Sequence, residues 1–441
     1  MFHKLITKQL NPPRFLLLIF LLFIFIGTCL LMLPFATTEP VTLLDAFFTA
    51  TSAMTVTGLI VVDTGTAYTL FGQAVILVLI HFGGLGIMSF AVFIFLLSGR
   101  KLGFKEHVLI TQSLNQNSIG GIIILAKKIL IFSLSVEAVT FALLSMVWVP
   151  AFGWKDGLYA SFFHAISAFN NAGFSIWSDS LSRSVGDPIV TLIITTSFIL
   201  GGIGFTVIFD IWKKKRFKDF SLHTKLMIVG TVLINVIAFS FVFWLEFYNT
   251  NTIGDFTIAD KVKAAYFQSV TPRTAGFNTV DIGALNHSTQ FFMIILMFIG
   301  AGSASTGGGI KLTTFLAILF SVSSFVKRKE DIEVFRRAIT DATVVRSLAI
   351  TVIGISFIFV GIFILDITED APFLKIVFET VSAFGTVGLS MGLTGDLTWI
   401  GKIIISMIMI IGKVGPLTLA FSIATQAKIH IRYAREDILT G

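Results

Sequence analysis

Ser52-Ala-Met-Thr-Val-Thr-Gly58-Leu59 is a short stretch that returns three more times along the chain. The other copies read Ser167-Ala-Phe-Asn-Asn-Ala-Gly173-Phe174, Ser269-Val-Thr-Pro-Arg-Thr-Ala-Gly276-Phe277 and Ser382-Ala-Phe-Gly-Thr-Val-Gly388-Leu389. Their glycines are spaced by 115, 103 and 112 residues, and each copy lies between two long apolar segments. One such stretch is a weak signal and usually a turn. Four at matching places are a strong one. Four re-entrant loops around one axis would build an ion filter, and a single chain would supply all four.

Composition sets the surroundings of these loops. The 441 residues are 55% hydrophobic and 13% charged, too little charge for the surface of a soluble protein this size. Phe15–Phe35 carries no charge and is long enough to cross a hydrocarbon core of roughly 30 Å. The chain is therefore read as an integral membrane protein. Its first apolar segment lacks a small-residue cleavage site with a polar exit, so it reads as a span and not as a removable signal peptide. A single cysteine, Cys29, excludes an intrachain disulfide and reads as a small apolar packing residue.

The net charge of +7 does not point to nucleic acid, because the basic residues alternate by loop. Lys4, Lys8 and Arg14 precede the first span; Arg100, Lys101, Lys105, Lys127 and Lys128 follow the second. Lys213–Arg216, Lys218 and Lys225 follow the fourth, and Lys327–Lys329, Arg336, Arg337 and Arg346 follow the sixth. With Lys428, Arg432 and Arg435 these are 23 of the 32 Lys and Arg. The positive-inside rule places these loops and both termini in the cytoplasm of a multi-pass protein of the cell membrane.

Eight spans are expected, near 15–35, 70–97, 126–149, 189–212, 224–247, 289–325, 347–366 and 399–424. Between the members of each pair lies a segment too short to cross, near 42–54, 157–169, 260–271 and 373–384. Each starts close to a helix-start signal: Asp45, Asp156, Asp260 or Pro372. These read as half-membrane pore helices that return as extended filter segments. The expected fold is all-α, with span, pore helix, filter and span repeated four times around one pseudo-fourfold pore. The repeats divide at 1–110, 111–220, 221–340 and 341–441. Every second span also has a glycine cluster 24 to 28 residues after its filter glycine: Gly83-Gly84-Leu85-Gly86, Gly201-Gly202-Ile203-Gly204, Gly300-Ala301-Gly302 and Gly412-Lys413-Val414-Gly415. Close helix packing is the plain explanation for them.

A dehydrated cation needs oxygen ligands, and rings of backbone carbonyls supply them without fixed charge. Non-helical backbone at that depth is tolerated where it lines a wet cavity. Glycine permits the dihedrals this requires, and the carbonyl ends of pore helices add a partial negative charge. The candidate filter residues are Thr55, Val56, Thr57 and Gly58; Asn170, Asn171, Ala172 and Gly173; Thr274, Ala275 and Gly276; and Gly385, Thr386, Val387 and Gly388. Asp63, Asp179 and Asp281 follow three of the filters; they either raise the local cation concentration or are ordinary solvated carboxylates.

With these motifs the chain resembles, over essentially its whole length, the superfamily of K⁺ transporters that includes bacterial Trk and Ktr and the plant high-affinity K⁺ transporters. Eight spans without an extra amino-terminal pair look most like the membrane subunit of a Ktr system. The resemblance maps one K⁺-site glycine per repeat onto Gly58, Gly173, Gly276 and Gly388, and glycine rather than serine at 58 implies K⁺. It further implies Na⁺ stimulation, a homodimer with one pore per subunit, and a cytosolic ring of nucleotide-binding regulatory subunits (KtrA/KtrC-like). No cofactor bound by this chain is expected. The basic loops are candidate docking surfaces for that ring or for anionic lipid headgroups of the bilayer.

The sixth span contains Gly300-Ala-Gly302-Ser303-Ala304-Ser305-Thr306-Gly307-Gly308-Gly309-Ile-Lys311. Such a run cannot be a stable lipid-facing helix, since each glycine costs about 1 kcal/mol relative to alanine. Nor does it fit a phosphate loop, which needs Gly-Lys-Ser/Thr after a strand. It reads as a flexible intramembrane loop and looks like the gating loop of the Ktr and Trk membrane subunits. Lys413 falls where the family usually has arginine projecting into the pore; lysine keeps the charge without the planar fork. Lys311 is a second candidate of the same kind. Glu137 is expected to be protonated or paired, His81 and His164 to be packing histidines, and Arg273 to buttress the third filter through a carboxylate. Two readings compete with a K⁺ pore: a Na⁺ or NH₄⁺ transporter of the same architecture, and an intramembrane enzyme, which would need clustered catalytic groups that the scattered buried ionisable residues do not offer.

Overall fold

A computed structural model of the chain describes residues 12–97 and 119–416. The expectations for both termini, for the basic residues at 100–105 and 428–435, and for the end of the last span lie outside the described residues. The described chain is mostly helical. In order run α1 (Pro12–Leu31), α2 (Leu43–Thr55), α3 (Leu70–Leu97), α4 (Ile119–Phe152), α5 (Trp154–Phe169), α6 (Pro188–Gly202) and α7 (Phe205–Lys214). They are followed by α8 (Leu222–Glu246), α9 (Ile258–Val270), α10 (His287–Phe298), α11 (Leu312–Val326), α12 (Asp341–Thr368), α13 (Phe373–Gly385) and α14 (Trp399–Val414). The all-α expectation needs one amendment. A small antiparallel hairpin, β1 (Ile332–Val334) and β2 (Arg337–Ile339), connects α11 to α12.

Helices α2, α5, α9 and α13 occupy the four segments expected to be too short to cross. They have 13, 16, 13 and 13 residues, which at 1.5 Å each is roughly 20–24 Å. Their starts follow from local chemistry. Thr42 caps α2: its Oγ1 accepts the Asp45 amide at 3.2 Å and donates to Asp45 Oδ2 at 2.6 Å. Thr257 and Asp260 repeat this reciprocal cap on α9, at 3.2 and 2.7 Å. These helices form the core. Phe48, Ala53, Phe163, Ala168, Phe267, Phe378 and Phe384 are all essentially inaccessible.

The outer helices invert the soluble pattern. Trp244, Phe325, Phe359 and Phe363 are exposed on α8, α11 and α12, as a lipid-facing surface requires. Among the described residues, three helical stretches are long and apolar enough to cross a membrane alone: Ile124–Phe152, Leu222–Glu246 and Asp341–Thr368. The second apolar segment of each pair departs from a straight span. Helix α3 kinks at Gly86 (φ 81°), α6 and α7 meet at 93° around Gly204 (φ 103°), and α14 stops before Gly415 (φ 91°). Between α10 and α11 the helix is absent over thirteen residues, Ile299 to Lys311, whose ends are joined by an isolated parallel bridge between Ile299 and Ile310.

The glycine clusters explain where these breaks lie. A Cβ on Gly83 would sit 2.0 Å from the Met54 carbonyl oxygen, on Gly201 1.9 Å from that of Phe169, and on Gly412 2.0 Å from that of Phe384. Each of these carbonyls lies four residues before a filter glycine. The second helix of the pair therefore presses its bare backbone onto the end of the short helix. The first and last units also meet. Helix α14 packs on α2, and Lys402 Nζ reaches Asp45 Oδ1 at 2.7 Å.

Candidate ion filter and gate

Each short helix ends by turning into a tight extended segment, and the four segments meet. A Cβ on Gly58 would lie 2.3 Å from the Ala172 carbonyl oxygen and 3.2 Å from Gly173 Cα. On Gly173 it would lie 2.9 Å from Gly276 Cα, on Gly276 2.2 Å from the Val387 carbonyl oxygen, and on Gly388 2.1 Å from that of Thr57 and 3.0 Å from Gly58 Cα. The glycines thus close a ring in chain order, with no room for a side chain at any of the four.

Two left-handed residues shape every segment. The glycines have φ of 91°, 68°, 78° and 89°, and the residues two before them, Val56, Asn171, Thr274 and Thr386, have 56°, 58°, 77° and 50°. Three of those four are β-branched, for which this conformation costs about 1–2 kcal/mol each. Local hydrogen bonds hold the turn. Ser52 Oγ accepts the Gly58 amide at 3.1 Å and Ser382 Oγ that of Gly388 at 3.2 Å; Ser167 Oγ donates to the Phe174 carbonyl at 2.7 Å. In the third segment the corresponding group is not Ser269, which turns back to Tyr266, but Thr271, whose Oγ1 donates to the Phe277 carbonyl at 2.6 Å. The extra residue is absorbed by a tighter turn. Ala275 N bonds Thr271 O, four residues back, whereas Thr57, Ala172 and Val387 each reach five back.

The polar side chains of these segments are committed to protein partners, apart from Asn170 Oδ1, which lies against Gly84 without a hydrogen-bond partner. Thr55 Oγ1 donates to Thr51 O and meets Thr57 Oγ1 at 2.7 Å. Asn170 Nδ2 donates to Glu137 Oε1 at 2.8 Å, and Asn171 Nδ2 donates to Thr274 Oγ1 at 3.1 Å. Thr386 Oγ1 accepts the Gly308 amide at 2.9 Å. What remains for a ligand in the ring is backbone.

The interrupted segment between α10 and α11 lies against this ring. Thr306 Oγ1 donates to Asn171 Oδ1 at 3.0 Å, and Gly309 N donates to the Gly412 carbonyl at 3.2 Å. Gly302 N and Thr306 N donate to the carbonyls of Gly202 and Gly201, and Phe205 N to that of Ala304. Thr306, Gly307, Gly308 and Gly309 are buried, whereas Ser303, Ala304 and Ser305 are at least partly exposed. Two ammonium groups close the arrangement. Lys311 Nζ donates to the carbonyls of Gly307 (2.6 Å) and Gly308 (3.3 Å), and Lys413 Nζ donates to that of Thr306. Among the described residues neither lysine has a carboxylate partner. Three successive loop carbonyls are their counter-dipoles.

Other charged residues meet expectation only in part. Among the described residues Arg273 meets no carboxylate; Nη1 donates to Asn235 Oδ1 at 3.3 Å. Asp63 caps the turn Thr64–Ala67, Asp179 pairs with Arg183 at 2.9 Å, and Asp281 accepts the Gly283 amide. His164 is buried and satisfied by Ala160 O and Ser175 Oγ. His81 is more than a packing group, since its Nδ1 lies 3.2 Å from Glu137 Oε1. Sequence reasoning missed Glu246 and Glu369. Glu246 accepts from Asn249, Thr252, the Asn286 amide and Thr289, and Glu369 from the Thr398 amide and hydroxyl. Each carboxylate receives the start of a following helix, and its place at the end of an apolar segment was the signal. No group of three His, Cys, Asp or Glu able to hold a metal occurs among the described residues.

Comparison with known proteins gives a consistent result. Residues 16–430 match the family model for TrkH, described as cation transport protein. The chain is 55% identical to a Ktr system potassium uptake protein B of Bacillus subtilis (strain 168), across 98% of this chain and 97% of that protein. It is 43% identical to the protein of the same name from Vibrio alginolyticus, across 98% and 95%. The crystal structure of the potassium transporter TrkH from Vibrio parahaemolyticus superposes with a TM-score of 0.75 at 20% identity, covering 95% of this chain and 86% of that one, a likeness of fold.

Proposed function

The chain belongs to the TrkH family of cation transport proteins, and from that premise we propose that it is the K⁺-conducting membrane subunit of a Ktr-type uptake system. It is a multi-pass membrane transporter and not an enzyme. The observation that carries the reading is the closed ring of Gly58, Gly173, Gly276 and Gly388 at the ends of four half-length helices. Carbonyls of residues 55–58, 170–173, 274–276 and 385–388 replace the water around K⁺, and the helix C-termini lend negative potential to the same place. Uptake follows the inside-negative potential, worth roughly 2.3 kcal/mol per charge per 100 mV.

In this reading the four units 1–110, 111–220, 221–340 and 341–441 surround one pseudo-fourfold pore, their eight spans leaving both termini in the cytoplasm. The loop 302–309 is the gate. Lys311 and Lys413 occupy the carbonyls of Thr306, Gly307 and Gly308, and with those oxygens taken and two positive charges beneath the ring, passage of a cation is disfavoured. Opening requires the loop to leave Lys413. The signal comes from a cytosolic ring of nucleotide-binding subunits docked on the basic loops; the subunit is a homodimer with one pore each, and Na⁺ stimulates transport.

The test is ⁸⁶Rb⁺ uptake into liposomes holding the purified protein, with K⁺, Na⁺ and NH₄⁺ as competitors. Block by K⁺ and not by Na⁺ or NH₄⁺ is the expected result. Equal block by Na⁺ or NH₄⁺ would shift the cargo to that ion. No uptake even after removal of the loop would reject the pore.

A further inference from the structure

The residue three before each filter glycine differs in all four repeats: Thr55, Asn170, Arg273 and Gly385. Thr55 is satisfied inside its own turn, and Gly385 has no side chain. The other two reach outward to the long helix that opens their own repeat. Arg273 meets Asn235 on α8, and Asn170 meets Glu137 on α4. The second contact is the more developed one. Glu137 is 6% exposed and Asn170 fully buried, and one oxygen, Oε1, receives Asn170 Nδ2 at 2.8 Å while lying 3.2 Å from His81 Nδ1 on α3. A carboxylate at this depth of a span is costly unless paired. Here its two partners come from two different repeats.

What lies beyond Asn170 gives the contact reach. The next residue, Asn171, holds the left-handed turn at φ 58°. Its Nδ2 donates to Thr274 Oγ1 of the third segment, and its Oδ1 accepts from Thr306 Oγ1 of the loop. Glu137 thus fixes the root of the one segment whose side chains tie together the second filter, the third filter and the loop. Asn170 Nδ2 also donates to the Ile166 carbonyl of its own helix at 2.8 Å, so among the described residues Glu137 is the acceptor that ties this amide to a second helix, and burial leaves no water to take its place.

We propose that Glu137 is a positioning residue for the second filter segment, holding Asn170 so that the ring keeps the spacing that separates K⁺ from Na⁺. It touches no ion. The proposal rests on the filter reading above, so a control for that reading belongs in the same experiment. Full-length protein in liposomes is compared as wild type, Glu137→Gln, Glu137→Leu and Gly58→Ser, reading the ratio of Na⁺ to K⁺ concentrations that half-block ⁸⁶Rb⁺ uptake. Glutamine keeps an oxygen that accepts from Asn170; leucine does not. Glu137→Leu should lower the ratio about tenfold, and Glu137→Gln should stay within about twofold of wild type. An unchanged ratio in Glu137→Leu, with Gly58→Ser lowered, overturns this inference and leaves the filter standing. An equal loss in both Glu137 variants also overturns it, because charge and not the accepting oxygen would then matter. An unchanged ratio in Gly58→Ser removes the filter reading itself. Should Glu137→Leu fail to assemble, Asn170→Ala removes the other end of the same bond. The same tenfold loss supports the proposal, and a retained ratio overturns it.

Discussion

The apolar segment that follows each ring glycine is interrupted, but the one after Gly276 is interrupted differently from the other three. After Gly58, Gly173 and Gly388 a glycine with φ between 81° and 103° marks the break, at Gly86, Gly204 and Gly415. After Gly276 the break has grown into a thirteen-residue loop whose buried part bonds to the second and fourth ring segments and to the backbone beside the breaks that follow Gly173 and Gly388. A glycine hinge satisfies its own geometry and little else. A loop exposes a row of amides and carbonyls that must find partners, and here they find them across repeat boundaries. The difference shows how one of four similar segments acquires contacts to its neighbours without new elements.

Several experiments would break or sharpen that contrast. The largest effect is expected from deleting Ala304–Gly308. ⁸⁶Rb⁺ flux through liposomes should rise on the order of a hundredfold, the shift from a mostly closed to a mostly open population. Flux equal to wild type would reduce the loop to a passive break like the other three. Next comes Lys413→Ala, which removes one of the two bonds between the loop and α14 and a charge below the ring; flux should rise about tenfold. Lys311→Ala should do less, about threefold, because its bonds to Gly307 and Gly308 are internal to the loop. If the two lysines reversed in order, the contact across to α14 would not be what holds the gate.

The smallest effects concern the hinges themselves. A Cβ on Gly204 would meet the Ser303 carbonyl oxygen at 2.5 Å, whereas one on Gly86 meets nothing within 4 Å among the described residues. Gly204→Ala should therefore cost about 2 kcal/mol or more in thermal or denaturant unfolding in detergent, by clash and backbone strain together. Gly86→Ala should cost about 1 kcal/mol, from strain alone. Equal losses would mean that the loop does not press on the second repeat's hinge.

These contrasts also mark what the sequence could reveal. The four short helices were legible because their length falls below a span and their starts lie close to Asp45, Asp156, Asp260 and Pro372. The ring glycines were legible through repetition. The breaks at Gly86 and Gly204 were not, since the apolar pattern runs on through them from Leu70 to Leu97 and from Ile189 to Trp212. Nothing local marks Val56, Thr274 or Thr386 as left-handed, because β-branched residues disfavour that region and only the neighbouring segments impose it. Thr271 was hidden by the more obvious Ser269. The partners of Glu137 and Arg273 were beyond reach for another reason: Asn170 and Asn235 lie 33 and 38 residues away, on elements whose rotation a linear pattern does not fix.

The contact between Asp45 and Lys402 joins residues 357 positions apart. At ordinary ribosome speeds of 5–20 residues per second, roughly 20 to 70 seconds separate the synthesis of its two ends. Throughout that interval α2 waits in the bilayer without the helix that will cover it, its carboxylate without its cation. The first and last units of a nascent chain stand unjoined, and they meet only when the last helix arrives. A chain cut short in its final repeat thus keeps an unmatched buried acid and a bare flank, the features by which membrane quality control could tell unfinished product from finished.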